Sequence, residues 1–388
     1  MEVAEARSHF TKWQNWYATR PELFRKPLTP ESAEILVDQL SSLRMHLPMQ
    51  DVYILGAGFS KAICEQMPVL SEFGQHFQQS DPGPIREAFE NQSRYATELS
   101  RNVELLLTYL SQQKPWLTEA ENLRDRALFL ELSRGIAGFL NCRTAESLRQ
   151  LGDCPRWLNH LVGAWHGNRS TVISFNYDTL VETVAGDFTC QGKKVKIGCG
   201  RLYPVPLSPA NLRNAGPFGE PMQHTFTLVK LHGSVNWFYS GRPNFAGETI
   251  YYVKTMEGMH AVFEGDSAIC YQMASVVDKV PLIIPPTLEK SMISQHETLS
   301  TLWLRASQAL KQADRIFCLG YSLPESDLPV RFLLSGLAPS KASFEIVNLE
   351  NRCDHFAKLL PKSLNVTQRF EGPGAVLDFC KAQLGLSS

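Results

Sequence analysis

No Cys-x-x-Cys pair occurs anywhere in the 388 residues, although nine cysteines do, at 64, 142, 154, 190, 199, 270, 318, 353 and 380. Odd in number and scattered, they fit neither a disulfide framework nor a paired-cysteine zinc module, so reduced thiols are expected. Cys190 and Cys199 flank a Gly/Lys-rich loop, but their spacing matches no common zinc ribbon, and no metal is expected. Missing too is any apolar run approaching the ~18 residues of a membrane span. The amino-terminal MEVAEARSHF has neither an apolar core nor a cleavage pattern. A cytoplasmic location without membrane attachment is the resulting expectation. Neither sign of charge dominates, since 38 Lys+Arg face 39 Asp+Glu, and a net charge of -1 supplies no global reason to expect direct nucleic-acid binding. What is present, 44% hydrophobic and 20% charged residues, suffices for a substantial core in one large domain or two or three small ones.

A third glycine is absent where one would be diagnostic. The stretch DVYILGAGFS, residues 51–60, reads as an apolar strand over 52–55 running into a glycine turn, with Ser60 placed to begin a helix. The dinucleotide fingerprint G-x-G-x-x-G would need glycine at 61, where this chain has Lys61. Gly56 and Gly58 allow a sharp turn and close approach of a phosphate to backbone N–H groups, and the helix start beyond adds unpaired donors. Two readings stand here: a diphosphate cradle, or a tight strand-to-helix turn with no ligand.

Elsewhere strand-like and helix-like runs alternate. Residues 1–48 carry helically spaced apolar positions broken by Pro21, Pro27 and Pro30, an N-terminal helical extension ahead of a domain over 49–388. A first helix is expected over 61–66. From about 80 to 168 the pattern is almost wholly helical, which reads as a helical module inserted into an α/β domain, of a kind that can cap a cleft. TVISF, 171–175, is a strand ending in Asn176-Tyr177-Asp178 before a helix near Thr179. Polar residues at that end of a buried strand suit a ligand, whereas Asp178 as the N-cap of an Asx turn needs none.

FTLVKLHGSVNWF makes a strand through Leu231 followed by His232-Gly233, and a histidine there is either structural or a base. YYV and AICYQM read as edge strands, and PLIIPPT, 281–287, as a short buried strand stopped by prolines. A helix over 296–313 leads to RIFCLGYS, a strand ending at Gly320 with Ser322 close behind. Asp327 is placed to cap a helix through 332–337. SFEIVNLE reads as the final strand, ending at Asn348 and Glu350, before a last helix over 374–384. The expected fold class is α/β, a Rossmann-like mostly parallel sheet whose polar and glycine-bearing strand ends gather on one edge.

The motifs G-A-G-F-S, S-F-N-Y-D, L-H-G, L-G-Y-S-L and I-V-N-L-E, in this order, resemble the sirtuin fold family. More closely they resemble the bacterial sirtuin-like NAD-consuming proteins of antiphage defence, a branch favoured by Phe59, the Asn-Tyr-Asp triplet and the Ile-Pro-Pro-Thr run. The resemblance implies that Gly56, Ala57, Gly58 and Ser60, with Phe59 among them, hold the diphosphate of NAD. Asn176 would contact the nicotinamide ribose and the attacking water, Asp178 would lie near the carboxamide, and His232 would be the base. Gly320, Tyr321 and Ser322 would line the far side of the diphosphate and the adenosine ribose, with Asn348 and Glu350 at the ribose and adenine end. Tyr321 stands where sirtuins usually have threonine. The zinc module of two cysteine pairs and the Asp-Phe-Arg that sirtuins place over nicotinamide are both missing, which counts against an acetyl-lysine peptide substrate.

The activity so implied is an NAD glycohydrolase that consumes NAD as substrate, without a metal, as an NAD-depleting defence effector. Control would come from a homo-oligomer or a separate partner such as a HerA-type ATPase. A protein deacylase and a non-catalytic NAD or ADP-ribose sensor are the alternatives.

Overall fold

Short apolar runs that are β-branched or aromatic become strands here, and longer amphipathic runs become helices. The structure, a computed structural model, describes residues 49–68, 103–205, 207–210, 224–242, 248–255, 276–284, 296–337, 342–362 and 364–385. The chain begins with β1 (Asp51–Leu55), α1 (Ala57–Ile63), α2 (Val103–Ser111), α3 (Glu119–Leu151) and α4 (Arg156–Asn168). It continues through β2 (Thr171–Ser174), α5 (Leu180–Ala185) and a hairpin of β3 (Phe188–Cys190) with β4 (Lys193–Val195). Next come β5 (Ser208–Pro209), β6 (Thr227–Lys230), β7 (Gly233–Tyr239), β8 (Tyr251–Tyr252) and β9 (Val280–Ile283). The last part is α6 (Glu297–Gln312), β10 (Arg315–Leu319), α7 (Leu328–Ser335), β11 (Ser343–Asn348), α8 (Cys353–Ala357), β12 (Asn365–Glu371) and α9 (Ala375–Leu384).

Six strands form one parallel sheet in the order β12-β11-β10-β1-β2-β6. The central strand β1 is buried at all five positions, as expected where helices cover both faces of a parallel sheet. On one face Tyr53 and Phe317 meet Trp165 of α4 and Phe379 of α9, with ring centroids 5.1–5.4 Å apart. On the other, Phe344 meets Phe356 of α8 at 5.4 Å, and the alternation of the pleat separates the two sets. The register between β1 and β10 is pinned at its start, where Arg315 donates from Nε and Nη2 to the two oxygens of buried Asp51 at 2.8 and 2.7 Å.

The chain enters mid-sheet at β1, builds outward through β2 and β6, then returns to β10 on the opposite side of β1. That places the switch point, where open α/β sheets bind ligands, between the carboxyl ends of β1 and β10. A smaller sheet has the order β5-β8-β7-β9, and its longest strand, β7, starts only two residues after β6 ends. The break is at Leu231-His232, and Gly233, at φ +80°, turns the chain into it. α3 opens with a Thr118/Glu121 capping box and is tied to the end of β7 by Arg126, which donates to the Tyr239 hydroxyl and the Gly241 carbonyl. Among the described residues no helix is long and apolar enough to cross a membrane.

Several boundaries differ from the sequence reading. α1 begins at Ala57, directly behind Gly56, so Ser60 is its fourth residue rather than its start. α7 begins at Leu328, because Pro329 is well tolerated in a first helical turn. SFEIVNLE is not the final strand. β12 adds to its outer edge with alternately exposed and half-buried residues, and its polar sequence NVTQRFE has no apolar run to mark it. The strand in PLIIPPT spans Val280–Ile283 and belongs to the smaller sheet. Of the two expected edge strands, YYV supplies β8, while AICYQM lies outside the described residues. The extension over 1–48 and residues 80–102 of the helical module also lie outside them; residues 103–168 contain α2, α3 and α4.

Candidate functional site

The parallel ladder runs one rung past the strand ends. Gly56 N–H donates to Leu319 O, Phe175 N–H to Leu55 O, Leu231 N–H to Ser174 O and Gly320 N–H to Val347 O, at 2.8–3.1 Å. The next residues, Ala57, Asn176, His232 and Tyr321, therefore leave the sheet at one edge. This is how side chains far apart in sequence arrive at a common place.

At the switch point the two glycine turns lie directly on each other. Gly58 N–H donates to Gly320 O at 2.9 Å. Gly320 has φ +63°, and a Cβ on it would stand 2.3 Å from Phe59 N. A Cβ on Gly56 would stand 2.5 Å from the Tyr321 Cα. Backbone-to-backbone packing is thus sufficient reason for all three glycines. Gly56, Gly58 and Phe59 direct their N–H groups to carbonyls of the protein, at Leu319, Gly320 and Gly56. Ala57, the first residue of α1, has an N–H with no acceptor among the described residues.

Beside this turn, Ser60, Asn176 and Asp178 form a closed set. Buried Ser60 donates its hydroxyl to Asp178 Oδ2 at 2.7 Å and accepts from Asn176 Nδ2 at 2.9 Å. The second Nδ2 hydrogen of Asn176 reaches Gly56 O, also at 2.9 Å. Both amide hydrogens are engaged, and the Oδ1 of this half-buried side chain takes no hydrogen bond among the described residues. Asp178 Oδ1 accepts from Leu180 N–H at 3.1 Å, so the Asx turn and the contact to Ser60 coexist on one carboxylate.

Under the loop lies a buried ion pair. Lys230 Nζ is 3.0 Å from Glu182 Oε1, each side chain 1% exposed. The ammonium also donates to Asp178 O at 2.5 Å. Glu182 Oε1 accepts from the Tyr203 hydroxyl, which in turn accepts from Asn236 Nδ2. Burial, reinforced by the charge of Glu182, pushes the Tyr203 hydroxyl well above its ordinary value and keeps it a donor.

His232, 6% exposed, sits at the junction of the two sheets, with its carbonyl accepting from Ile284 N–H. Its ring lies 5.1 Å from that of Phe175 and 6.4 Å from that of Tyr177, the residues on either side of Asn176. Its Nε2 is 3.5 Å from Oδ1 of Asp327, which is 1% exposed. Asp327 Oδ2 accepts from the Tyr321 hydroxyl at 2.5 Å. Tyr321 is thereby turned into the protein, stacked on Phe175 at 4.4 Å. Ser322 is exposed beyond it. Asn348 donates from Nδ2 to Tyr321 O and accepts from Leu349 N–H, whereas Glu350 pairs with Arg352 at 2.6 Å near the surface.

The structure thus gathers Ser60, Asn176 and Asp178 by direct contact and places His232 on the same edge. Sequence reasoning missed Lys230, Glu182 and Asp327. A lysine inside the apolar run FTLVKL was the available signal, since a fully buried lysine must be paired. Asp327 had no separate signal, because an aspartate before a helix reads as a cap. It occupies the cap position here, yet its side chain makes no capping bond. Among the described residues no group of three or more His, Cys, Asp or Glu could hold a metal.

No family model matches the chain, and no curated protein matches it. Among solved structures it is similar to sirtuins. One, concerned with sirtuin substrate affinity, is 15% identical, with 87% of this chain and 94% of that chain covered and a TM-score of 0.33. Another, on the mechanism and regulation of Sir2 enzymes, is 11% identical over 87% of this chain and 92% of that one, with a TM-score of 0.33. A third, Sir2 with a p53 peptide and NAD+, is 14% identical over 87% and 94%, with a TM-score of 0.32.

Proposed function

We propose that this protein is an NAD glycohydrolase that releases nicotinamide and ADP-ribose. The observation that carries the reading is the Asn176 carboxamide, fixed through both Nδ2 hydrogens, with an open Oδ1 on the sheet edge that also bears His232. Cleaving the N-glycosidic bond builds positive charge on the ribose, as in other oxocarbenium-like transition states. The bonding pair leaves with the pyridinium nitrogen and neutralises it, so the leaving group needs no acid. What the site must supply is a held ribose, an excluded bulk solvent and a positioned water. The Asn176 Oδ1 orients a ribose hydroxyl or the water, and His232 takes the proton that the water loses as its oxygen bonds to the ribose carbon. Ala57 N–H and the turn carrying Gly56, Gly58 and Gly320 receive the diphosphate. Tyr321 contributes backbone there, because its hydroxyl is held by Asp327.

In the same reading residues 1–48 are an N-terminal extension to a catalytic domain over 49–388, into which the helical module of about 80–168 is inserted. NAD depletion serves bacterial antiphage defence in the cytoplasm, with control through a homo-oligomer or a separate partner such as a HerA-type ATPase. The test is incubation of the purified chain with NAD, alone and with the product of its neighbouring gene, while nicotinamide and ADP-ribose are followed chromatographically. Nicotinamide release that falls by about 10²- to 10⁴-fold in His232→Ala is expected. No release under either condition would sink the proposal. Release only in the presence of an acyl-lysine peptide would make the protein a deacylase, and NAD binding without turnover would make it a sensor.

A further inference from the structure

A carboxylate removed from water has to be paired, and Asp327, 1% exposed, is paired on one oxygen only. Its Oδ2 holds the Tyr321 hydroxyl, while its Oδ1 is buried without a hydrogen bond and faces His232 Nε2 across 3.5 Å. That separation is just beyond hydrogen-bonding distance and closes with a small movement, as contacts to catalytic groups do when substrate binds. Asp327 also forgoes the bond its position offers: standing at the N-cap of α7, it leaves the helix N–H groups uncapped and points to the histidine.

The bend that aims it there is itself strained. Leu323, between β10 and α7, has φ +54°, a left-handed conformation that a branched side chain rarely adopts. It is held by His355 Nε2 on its carbonyl at 2.9 Å and by Arg331 Nη1 at 3.4 Å. Strain that the surroundings over-determine in this way is characteristic of functional sites.

We infer that Asp327 is the positioning residue for His232. It keeps the ring proton on Nε2 and the lone pair on Nδ1, the nitrogen that takes the proton from water or from a ribose hydroxyl. Tyr321 secures the second oxygen of Asp327 so that the first stays directed at the ring. Phe175 and Tyr177 flank the imidazole and limit its rotation. This inference rests on the glycohydrolase reading for its kinetic consequence, but its structural part does not.

The experiment uses the full chain with ¹⁵N-labelled histidine, in wild type, Asp327→Asn and Tyr321→Phe. Long-range ¹H–¹⁵N spectra without substrate report the His232 tautomer, and steady-state NAD cleavage reports kcat and KM. Expected are an Nε2–H tautomer in wild type, a mixture of tautomers in Asp327→Asn, and a kcat reduced by about 10²-fold with KM within about twofold. Tyr321→Phe, which frees the second oxygen of Asp327, admits part of the Nδ1–H tautomer, less than Asp327→Asn does, and loses less than about tenfold in kcat. A wild-type Nδ1–H tautomer, an unchanged tautomer in Asp327→Asn, or a loss carried by KM overturns the inference. If Asp327→Asn does not fold, the wild-type and Tyr321→Phe tautomers decide. If wild type cleaves no NAD while the tautomer changes as expected, the glycohydrolase reading fails and the role of Asp327 stands.

Discussion

Lys230→Met is the perturbation that most directly tests how the Asn176–Asp178 loop is held. Methionine fills the hydrocarbon part of the lysine pocket, so the change is mainly one of charge and donors. Glu182, 1% exposed, is left as a buried carboxylate with the Tyr203 hydroxyl as its hydrogen-bond donor. Removing one partner from a buried ion pair costs about 3–5 kcal/mol, because the other charge remains uncompensated. The Asp178 carbonyl also loses its 2.5 Å donor, a contribution already inside that range for a single network. In urea unfolding followed by tryptophan fluorescence the midpoint should fall with the slope unchanged. Adding Glu182→Gln removes the stranded charge and keeps an acceptor for Tyr203, so the double variant should recover to within about 1–2 kcal/mol of wild type. On the proposed glycohydrolase reading, NAD cleavage should be reduced in Lys230→Met and remain so in the double variant, since the loop carbonyl lacks its donor in both. A single-variant loss below about 1 kcal/mol, or a double variant no more stable than the single, would refute the idea of an uncompensated buried charge.

Gly320→Ala should cost at least about 3 kcal/mol or prevent recovery of soluble protein, because the new Cβ meets backbone at Phe59 and Gly58 in a left-handed conformation. Thermal melts compared with Gly372→Ala, also at positive φ but with open space around it, separate clash from conformational strain. Ser60→Ala strands Asp178 Oδ2 and an Asn176 Nδ2 hydrogen and should cost about 1–3 kcal/mol, with NAD cleavage reduced more than NAD binding. The thiols make a pH prediction. Burial pushes Cys199 up from 9.0 to about 11, so above pH 9 the unfolded chain sheds a proton that the folded chain keeps. Stability should therefore fall progressively between pH 9.0 and about 11, seen as a decreasing urea midpoint. At neutral pH, alkylation followed by mass spectrometry should modify exposed Cys142 well before buried Cys199 and Cys318.

Much of the architecture is local in origin. Apolar runs such as DVYIL and RIFCL have few options other than buried parallel strands, because no alternation leaves a polar face for water. The glycine turn, the Asn-Tyr-Asp triplet and His-Gly were visible as strand ends, and a parallel sheet brings strand ends to one edge. The lack of a third glycine at position 61 fits a turn whose close contacts, made at Gly56 and Gly58, are with Gly320 and Tyr321. β12 escaped notice because an edge strand half in water carries no apolar signature.

The α/β class, the β1 turn and the set of residues able to reach the common edge are local in origin, since each depends on periodicity or on the backbone freedom of one residue. Which of them touch is a matter of the folded arrangement. The bond from Ser60 to Asp178 spans 118 positions, and the approach of Asp327 to His232 joins a loop after β10 to a sheet junction after β6. Such pairs follow from strand order, which no local pattern encodes. Order set β10 beside β1, packed Gly320 onto Gly58, and turned an aspartate that reads as a helix cap toward a histidine.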